Sequence, residues 1–293
     1  MSERRWATVL GYLAAVAPPT GPIAVDGPPA AAELLARRLR PLVDAPVEVG
    51  AVGAGLTIWV RTSRAAGHRP VGAVVDLTDS GWPVLRHLDP ALLPAERWYR
   101  SESQAFFAVR AANWDTTFGD DLPAYARAVA AAGVPAGGVA VDVGCGTGRA
   151  LPPLRAAVGP AGTVVGVDHT AEMLSAAASR ARSCAATLLL ADARQLPLAT
   201  GTADALFAAG LLTHLPDGDE ALTELARITR PGGRLILFHP TGRQALAARH
   251  GRTLDPDELL NQPVLTAALA RTGWRLAEYV DVPERFCAVG LRA

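Results

Sequence analysis

The residues best suited to chemistry lie in the stretch VDVGCGTGR, residues 141–149. An apolar run leads there into a G-x-G-x-G turn that begins at Gly144. Glycine permits a tight turn and lets a ligand approach main chain that side chains would otherwise cover. Asp168 ends the next apolar run, where a carboxylate can accept hydrogen bonds from both hydroxyls of a ribose, and Asp192 ends the third run, near the expected edge of an adenine.

Alternating apolar runs and helical segments must position these groups. The predicted strands are 139–144, 163–168, 186–192, 203–210 and 233–240, and the predicted helices are 148–158, 170–182, 217–229 and 255–272. Nearly continuous apolar runs indicate strands covered by helices on both faces, and their alternation predicts a Rossmann-like, doubly wound, mostly parallel α/β sheet. Two closing runs, 274–282 and 285–293, predict an antiparallel hairpin at one sheet edge. Asp142, Asp168 and Asp192 then share the carboxyl-end rim at which open α/β sheets bind ligands.

Three parts of the chain differ in pattern. Residues 1–93 are rich in proline and glycine and hold predicted strands at 22–26, 56–62 and 71–78 and a helix at 29–40, so we expect a smaller α/β unit. Residues 94–133 are helical with a break at NWDTTFGDD, residues 113–121, and predict a lid or linker. Residues 134–293 form the larger predicted domain.

Composition and charge argue against several classes of protein. Basic and acidic residues balance at 28 each, which argues against nucleic acid or a membrane as the main partner, because both need a clustered basic face. The basic residues are all arginine, so no lysine is present for Schiff-base chemistry. The three cysteines lack the spacing of a metal site, and we expect no metal.

The N-terminal apolar run, residues 7–17, has two interpretations. A charged start followed by such a run faintly resembles a signal peptide. Apolar residues recur there at helical spacing, which favours an amphipathic helix; they are Trp6, Val9, Leu10, Leu13 and Val16. No run approaches the roughly 20 apolar residues that span a bilayer, so we expect a cytoplasmic protein with reduced thiols.

A nicotinamide dinucleotide is the natural competitor for the glycine turn. Its fingerprint is G-x-G-x-x-G, whereas Arg149 stands here in place of the third glycine. The segment instead resembles the class I S-adenosylmethionine-dependent methyltransferases, in particular the small-molecule group related to quinone and sugar methyltransferases. The motifs that carry this resemblance lie within residues 110–293 and are VDVGCGTGR (141–149), VVGVDHTAEML (164–174), LLADARQLPL (189–198), AGLLTHLPD (209–217) and LARITRPGGRLILF (225–238).

The resemblance implies S-adenosylmethionine as the cofactor and assigns its contacts. The glycine turn holds the methionine end, Asp168 takes the ribose hydroxyls, and Asp192 with the Ala193 amide reads the adenine. The remaining positions of the predicted cofactor site are Gly144, Gly146 and Gly148 of the turn, Asp142 as an organiser of the turn, Cys145 as inert packing, and His169, Met173 and Ala209. Because Pro152 and Pro153 follow the turn, the next helix must begin late, near residues 149–151.

Two histidines are candidate catalytic bases. Methyl transfer is a displacement at a sulfonium carbon, so a base is needed only where the acceptor must lose a proton. His214 follows the fourth predicted strand and His239 ends the fifth, and an imidazole pKa of about 6.5 suits either role. In related sugar O-methyltransferases a histidine and an acidic residue act together; here Thr213 matches the first and His239 the second, so that pair is not intact. Both histidines also have a purely structural interpretation.

Other residues are candidates for the acceptor pocket. By resemblance the lid places Tyr99, Trp114 and Phe118 over the acceptor, although packing of a helix on the sheet explains them equally well. Arg243 and Arg249 follow His239, and they either recognise an acidic acceptor or are solvated.

The N-terminal part resembles the opening of a uridine-kinase-type phosphate-loop domain. That motif needs G-x-x-x-x-G-K-[ST], whereas residues 27–34 read GPPAAAEL and lack the second glycine, the lysine and the hydroxyl. We therefore expect either a phosphate-incompetent relic or an unrelated α/β cap.

The sequence as a whole predicts an enzyme that methylates an oxygen or nitrogen of a small-molecule acceptor. The alternative from another class is a non-catalytic regulatory protein that binds S-adenosylmethionine or S-adenosylhomocysteine. The sequence leaves a homodimer open.

Overall fold

The computed structural model describes residues 2–50, 55–62, 72–119, 121–251 and 253–293. The helices are α1 (Ser2–Ala15), α2 (Pro29–Leu39), α3 (Tyr99–Ala108), α4 (Trp114–Phe118), α5 (Leu122–Ala131), α6 (Leu151–Val158), α7 (Ala171–Ser183), α8 (Gly218–Ile228), α9 (Arg243–Arg249) and α10 (Gln262–Arg271). The strands are β1 (Ile23–Asp26), β2 (Val47–Val49), β3 (Leu56–Arg61), β4 (Ala73–Asp76), β5 (Val84–Leu88), β6 (Val139–Val143), β7 (Thr163–Asp168), β8 (Thr187–Leu190), β9 (Ala203–Ala209), β10 (Thr229–His239), β11 (Trp274–Val282) and β12 (Arg285–Arg292). Within these ranges no helix is long and apolar enough to cross a membrane.

The chain divides into two compact units. One consists of Met1–Phe106 with Ala248–Arg252, and the other of Phe107–Ala247 with Thr253–Ala293. In the first unit the sheet order is β2-β1-β3-β4-β5, with β5 antiparallel to its neighbour and the other pairs parallel. Helix α1 buries the predicted apolar stripe, including Trp6 and Leu13, so the amphipathic-helix interpretation agrees with its structure.

The turn after β1 in the first unit leaves no open space for a ligand next to Gly27. A Cβ atom on Gly27 would lie 2.3 Å from the carbonyl oxygen of Val60, so the turn packs directly on β3. The next two residues are prolines, which have no N–H. The backbone N–H groups of Ala31 and Ala32 donate to the carbonyl of Pro28 at 3.0 and 2.9 Å.

The second unit contains a seven-stranded sheet in the order β11-β12-β10-β9-β6-β7-β8. Strands β6 to β10 pair in parallel, and β12 is antiparallel to both β10 and β11. The fold class expected from the sequence is confirmed: a Rossmann-like α/β sheet that ends in an antiparallel hairpin. The carboxyl ends of β6, β7, β9 and β10 therefore lie side by side.

Both faces of this sheet are covered by helices, which explains why its strands are apolar without alternation. One face packs against α8 and α10 through Leu222, Leu225 and Leu265. The other packs against α5 and α6, where Tyr125, Phe207 and Phe238 form an aromatic group with ring centroids 5.0–6.0 Å apart.

Strand β8 ends the sheet and is only half covered. Its four residues, TLLL, are intermediate or exposed, and Leu190 is 59% exposed. Its outer edge carries main-chain groups that no strand of this sheet pairs.

Candidate active site

The glycine turn joins β6 to α6 in a conformation that only glycine adopts readily. Gly144, Gly146 and Gly148 have φ values of +71°, +52° and +80°. A Cβ atom would lie 3.0 Å from Cδ1 of Leu211 at the first glycine and 2.9 Å from Cδ1 of Leu151 at the third. At Gly146 it would meet nothing within 4 Å. The middle of the turn therefore faces open space, and its two ends pack on neighbouring elements.

The helix after the turn begins at Leu151, as the two prolines require. Pro152 and Pro153 occupy its first turn, where the missing N–H groups break no helical hydrogen bond. Within the turn, the N–H of Cys145 donates to the carbonyl of Val167 at 2.8 Å and that of Gly148 to the carbonyl of Cys145 at 2.8 Å.

Asp168, the last residue of β7, fixes the turn from the next strand. Its Oδ2 accepts the N–H of Gly146 at 2.9 Å and its Oδ1 accepts the N–H of Thr170 at 2.8 Å. A carboxylate oxygen has two lone pairs, so each oxygen can accept one further hydrogen bond. Asp168 can thus serve the turn and a ribose diol at once.

Asp142 lies beneath the turn and is fully buried. Burial, together with the negative charge of Asp168, raises the pKa of Asp142 to about 8. The same two causes, with Asp142 itself, raise the pKa of the buried Cys145 thiol well above its usual value. Both groups are therefore largely protonated at neutral pH, which fits the expectation that Cys145 is inert packing.

Asp192 lies two residues beyond β8, because the strand ends at Leu190 and not at the aspartate as the sequence suggested. Arg194 donates two side-chain hydrogen bonds to its carboxylate, from Nε to Oδ1 at 3.1 Å and from Nη2 to Oδ2 at 3.0 Å. Burial opposes ionisation of Asp192, but the hydrogen bonds from Arg194 outweigh it and lower the pKa of Asp192; nearby His169 adds to this effect.

Three further predicted cofactor residues lie at or shortly after the carboxyl ends of strands. Met173 is buried on α7 and Ala193 is buried beside Asp192, whereas Ala209 ends β9. Their positions agree with a site at the carboxyl rim, and their contacts with a cofactor stay a prediction.

His214 and His239 follow two adjacent strands, since Ala209 of β9 pairs with Phe238 of β10. The Nδ1 atom of His239 lies 2.8 Å from the carbonyl oxygen of Thr241 and 3.1 Å from its nitrogen. Thr213, which matches the histidine of the sugar enzymes, is exposed and donates its hydroxyl to the carbonyl of Gly210 at 3.1 Å.

Phe107 joins the residues of the rim through ring contacts. Its ring centroid lies 5.1 Å from that of His214, 6.3 Å from that of His169 and 5.8 Å from that of Trp114. The first two contacts are edge-to-face. Sequence reasoning missed Phe107, because nothing in its local pattern separates it from the buried face of a helix.

The described part of the structure does not show the three predicted pocket aromatics, Tyr99, Trp114 and Phe118, next to one another. Tyr99 belongs to the first unit, where it is buried and packs edge-on against Trp98 at 6.3 Å. The side chain of Phe118 lies outside the described part of the chain. Trp114 alone of the three has a described contact with the rim, through Phe107.

Asp115 is a second residue to which the sequence analysis assigned no role. Its Oδ1 accepts the hydroxyl of Thr147 at 2.7 Å and Nε of Arg149 at 3.0 Å, and its Oδ2 pairs with Arg180 at 2.6 Å. Arg149 also pairs with Asp121. These contacts tie the helix break at 113–121, which contains the short helix α4, to the glycine turn.

Arg243 fits neither of the interpretations given to it. It is 8% exposed, lies 3.4 Å from the carboxylate of Glu258 and 3.5 Å from that of Asp281, and donates to the Tyr279 hydroxyl at 3.1 Å. Two carboxylates therefore neutralise it, so it is neither solvated nor available to an acidic acceptor. Arg249 is exposed and belongs to the segment grouped with the first unit.

Comparison with known proteins shows what this part of the chain is similar to. Residues 141–237 match a family model described as a methyltransferase domain. The chain is 38% identical over 108 residues to methyltransferase GfsG of Streptomyces halstedii, covering 36% of this chain and 38% of that protein. It is 32% identical over 150 residues to O-methyltransferase rstn1 of Aspergillus nomiae, covering 48% and 66%, and 36% identical over 104 residues to demethylmenaquinone methyltransferase of Bacillus licheniformis, covering 35% and 45%.

These matches span only 38%, 66% and 45% of the three relatives' lengths. Solved structures agree on the fold. A putative methyltransferase from Haloferax volcanii, solved with the Trm112 activator, superposes with a TM-score of 0.51 at 19% identity and covers 64% of this chain and 97% of its own. Magnesium protoporphyrin IX methyltransferase from Synechocystis, solved with bound S-adenosylhomocysteine, has a TM-score of 0.50 at 19% identity, with coverage of 66% and 99%. Residues 141–237 of this chain therefore match a methyltransferase domain, and the unit that contains them has a Rossmann-like fold.

Proposed function

We propose that this chain transfers a methyl group from S-adenosylmethionine to an oxygen or nitrogen of a small-molecule acceptor. The observation that carries the proposal is the glycine turn with its open middle at Gly146, held by the carboxylate of Asp168 on the neighbouring strand. A ligand can therefore contact the main chain at Gly146 and the neighbouring carboxylate oxygens of Asp168 at the same time.

The carboxyl groups near the turn differ in what they can offer this cofactor. S-adenosylmethionine carries a sulfonium and an ammonium group, and Asp168 is the carboxylate next to the turn, because Asp142 is buried and keeps its proton and Asp192 is paired with Arg194. Asp192 is held in one orientation by Arg194, which leaves lone pairs on its oxygens for the adenine amino group. Orientation of the cofactor and the acceptor in line supplies much of the acceleration of such a displacement.

His239 is the residue that we assign as the base for an acceptor that must lose a proton. Thr241 offers Nδ1 of His239 two partners, its carbonyl oxygen at 2.8 Å and its N–H at 3.1 Å, and the assignment requires the tautomer in which Nδ1 carries the proton and donates to the carbonyl. In that tautomer Nε2 carries a lone pair and accepts a proton from an acceptor hydroxyl. His214 has its ring against Phe107, so we assign it to the wall of the acceptor site.

An oxygen acceptor is favoured over nitrogen. Three relatives at 29–32% identity are named O-methyltransferases.

Arg243 is neutralised by Glu258 and Asp281, so it does not contribute a carboxylate-binding group to this site.

Binding and turnover by three variants test this function. Titration calorimetry should show that the wild type binds S-adenosylmethionine and its demethylated product, and that Asp168→Ala raises Kd at least about tenfold, because two charge-assisted hydrogen bonds are lost. His239→Gln should leave Kd unchanged and lower kcat by about 100-fold with a hydroxyl acceptor. Glu172→Ala, an exposed acid on α7, is the matched control and should change neither quantity.

Acceptors can be found by incubating the protein and a metabolite extract with methyl-labelled cofactor, followed by mass spectrometry. A wild-type protein without measurable affinity for either cofactor form would refute the proposal. Tight binding without label transfer to any acceptor would instead favour the non-catalytic regulatory alternative.

A further inference from the structure

We propose that Asp115 is a positioning residue for the cofactor. It lies in a segment that precedes β6, and from there it holds the glycine turn in its binding conformation. The inference rests on the proposed function, because its readout is the affinity for the cofactor. Asp115 lies in α4, 32 residues before Thr147 in the chain.

The turn needs an external support because it is rich in glycine. Three of its five residues from 144 to 148 are glycines with positive φ, and such residues lose more conformational freedom on ordering than any others. A turn that is ordered before the ligand arrives spares the complex that cost. Asp168 supports it at Gly146, on the side of the sheet.

Thr147 is the residue through which Asp115 acts. The Thr147 hydroxyl donates to Oδ1 of Asp115 at 2.7 Å, and the Thr147 carbonyl accepts from Arg180 at 2.9 Å. Arg180 in turn pairs with Oδ2 of Asp115 at 2.6 Å. The peptide between Gly146 and Gly148 is therefore held at two points by one closed ring of contacts, and Asp115 completes that ring.

The carboxylate of Asp115 also balances the positive charge of two arginines beside the turn. Arg149 is 5% exposed and Arg180 is 27% exposed, and both lie against Asp115. Burial opposes ionisation of Asp115, but hydrogen bonds from Thr147, Arg180 and Arg149 outweigh it and lower its pKa. Without this carboxylate, excess positive charge would lie next to the turn that receives a cationic ligand.

The test compares Asp115→Ala, Thr147→Val and the double variant with Thr116→Ala. Thr116 is the matched control: it lies in the same helix, is exposed, and its hydroxyl bonds only within the segment, to the carbonyl of Asn113 at 3.0 Å. Calorimetry with S-adenosylhomocysteine should show a Kd raised about tenfold for each single variant, because the ligand must then order the turn that the ring of contacts otherwise holds. The double variant should bind no more weakly than the weaker single variant, because both changes open the same ring. Thr116→Ala should bind like the wild type.

Two further measurements separate positioning from general stability. In assays the apparent KM for the cofactor should rise while kcat at saturating cofactor stays within about twofold, since the turn is ordered once it is occupied. The melting temperature without ligand shows how much each substitution lowers the stability of the folded protein.

A Kd within twofold of the wild-type value for both Asp115→Ala and Thr147→Val overturns the inference, even where the melting temperature falls. Should Asp115→Ala fail to fold, Thr147→Val, which conserves volume, decides alone. Wild-type protein that does not bind S-adenosylhomocysteine would count against the proposed function and not against this ring of contacts.

Discussion

At the scale of single residues, four aspartates around one turn differ because their surroundings differ. Asp142 is buried beside another acid and holds its proton, whereas Asp115 and Asp192 are gripped by arginines and stay ionised. Asp168 accepts two backbone N–H groups. The sequence shows four identical letters, and only the contacts of each carboxyl group assign it a task.

Asp142 gives the protein a pH-dependent stability. Its pKa is about 8 in the folded chain, against about 3.9 for an unfolded chain. Between these values the folded state keeps a proton that the unfolded state has lost, so stability falls as pH rises through this window, with a slope of up to about 1.4 kcal/mol per pH unit from this group. Asp142→Asn cannot lose a proton there, so its stability relative to the wild type should increase between pH 5 and pH 8, values that lie within roughly that window.

Urea unfolding at several pH values measures this effect as the free energy of unfolding. Asp257→Asn, at an exposed site, is the control and should run parallel to the wild type. If the curves of Asp142→Asn and the wild type are also parallel, the proton assigned to Asp142 is elsewhere.

At the scale of elements, periodicity predicted the second unit far better than the first. The parallel strands from β6 to β10 stand out because each is a nearly unbroken apolar run. Strands β2 and β5 were missed: β2 has three residues, VEV, and β5 reads VLRHL, with two polar residues in its middle. Helix α4 was read as part of a break, since five residues are too few to show a helical period. The contact of Asp115 with Arg149 joins residues 34 apart, a separation that no local pattern reports.

The C-terminal hairpin and α9 dock through Gly242, which leads to a prediction. A Cβ atom there would lie 1.9 Å from the carbonyl oxygen of Val282, and the Gly242 N–H donates to the carbonyl of Pro283 at 3.1 Å. Gly242→Ala should therefore destabilise the protein by about 3 kcal/mol or more, because backbone must shift. Gly232→Ala, where the added atom meets nothing within 4 Å but φ is +77°, should cost only about 1 kcal/mol.

Urea denaturation at constant pH measures both changes as shifts in the transition midpoint. Equal costs for the two alanines would show that α9 moves away from the hairpin without penalty, contrary to the packing described.

At the scale of the whole molecule, the chain joins two α/β units, each with a strand that runs into a turn and a helix. Only the second keeps its turn open. In the first unit, Gly27 packs on Val60, and the two prolines that follow it have no N–H group. The N–H groups of Ala31 and Ala32 already donate to the carbonyl of Pro28. A phosphate needs several converging N–H groups, so this turn is a poor anion site whatever its ancestry.

We therefore expect one adenosyl ligand per chain and no site for ATP in the first unit. Calorimetry should give a stoichiometry of about one for S-adenosylhomocysteine. ATP should give no saturable heat with Asp168→Ala, a variant that weakens the adenosine site proposed for the second unit. ATP binding that survives Asp168→Ala would overturn the view that the first unit has no phosphate-binding turn.

The half-covered strand β8 also matters at the bench. An apolar strand with an open hydrogen-bonding edge is a template on which other chains can add, and TLLL carries no charge to discourage them. We therefore expect that any self-association in concentrated preparations involves this strand. Leu190 is the most exposed residue of β8, so a lysine or glutamate there should protect the sample while leaving the proposed cofactor turn untouched.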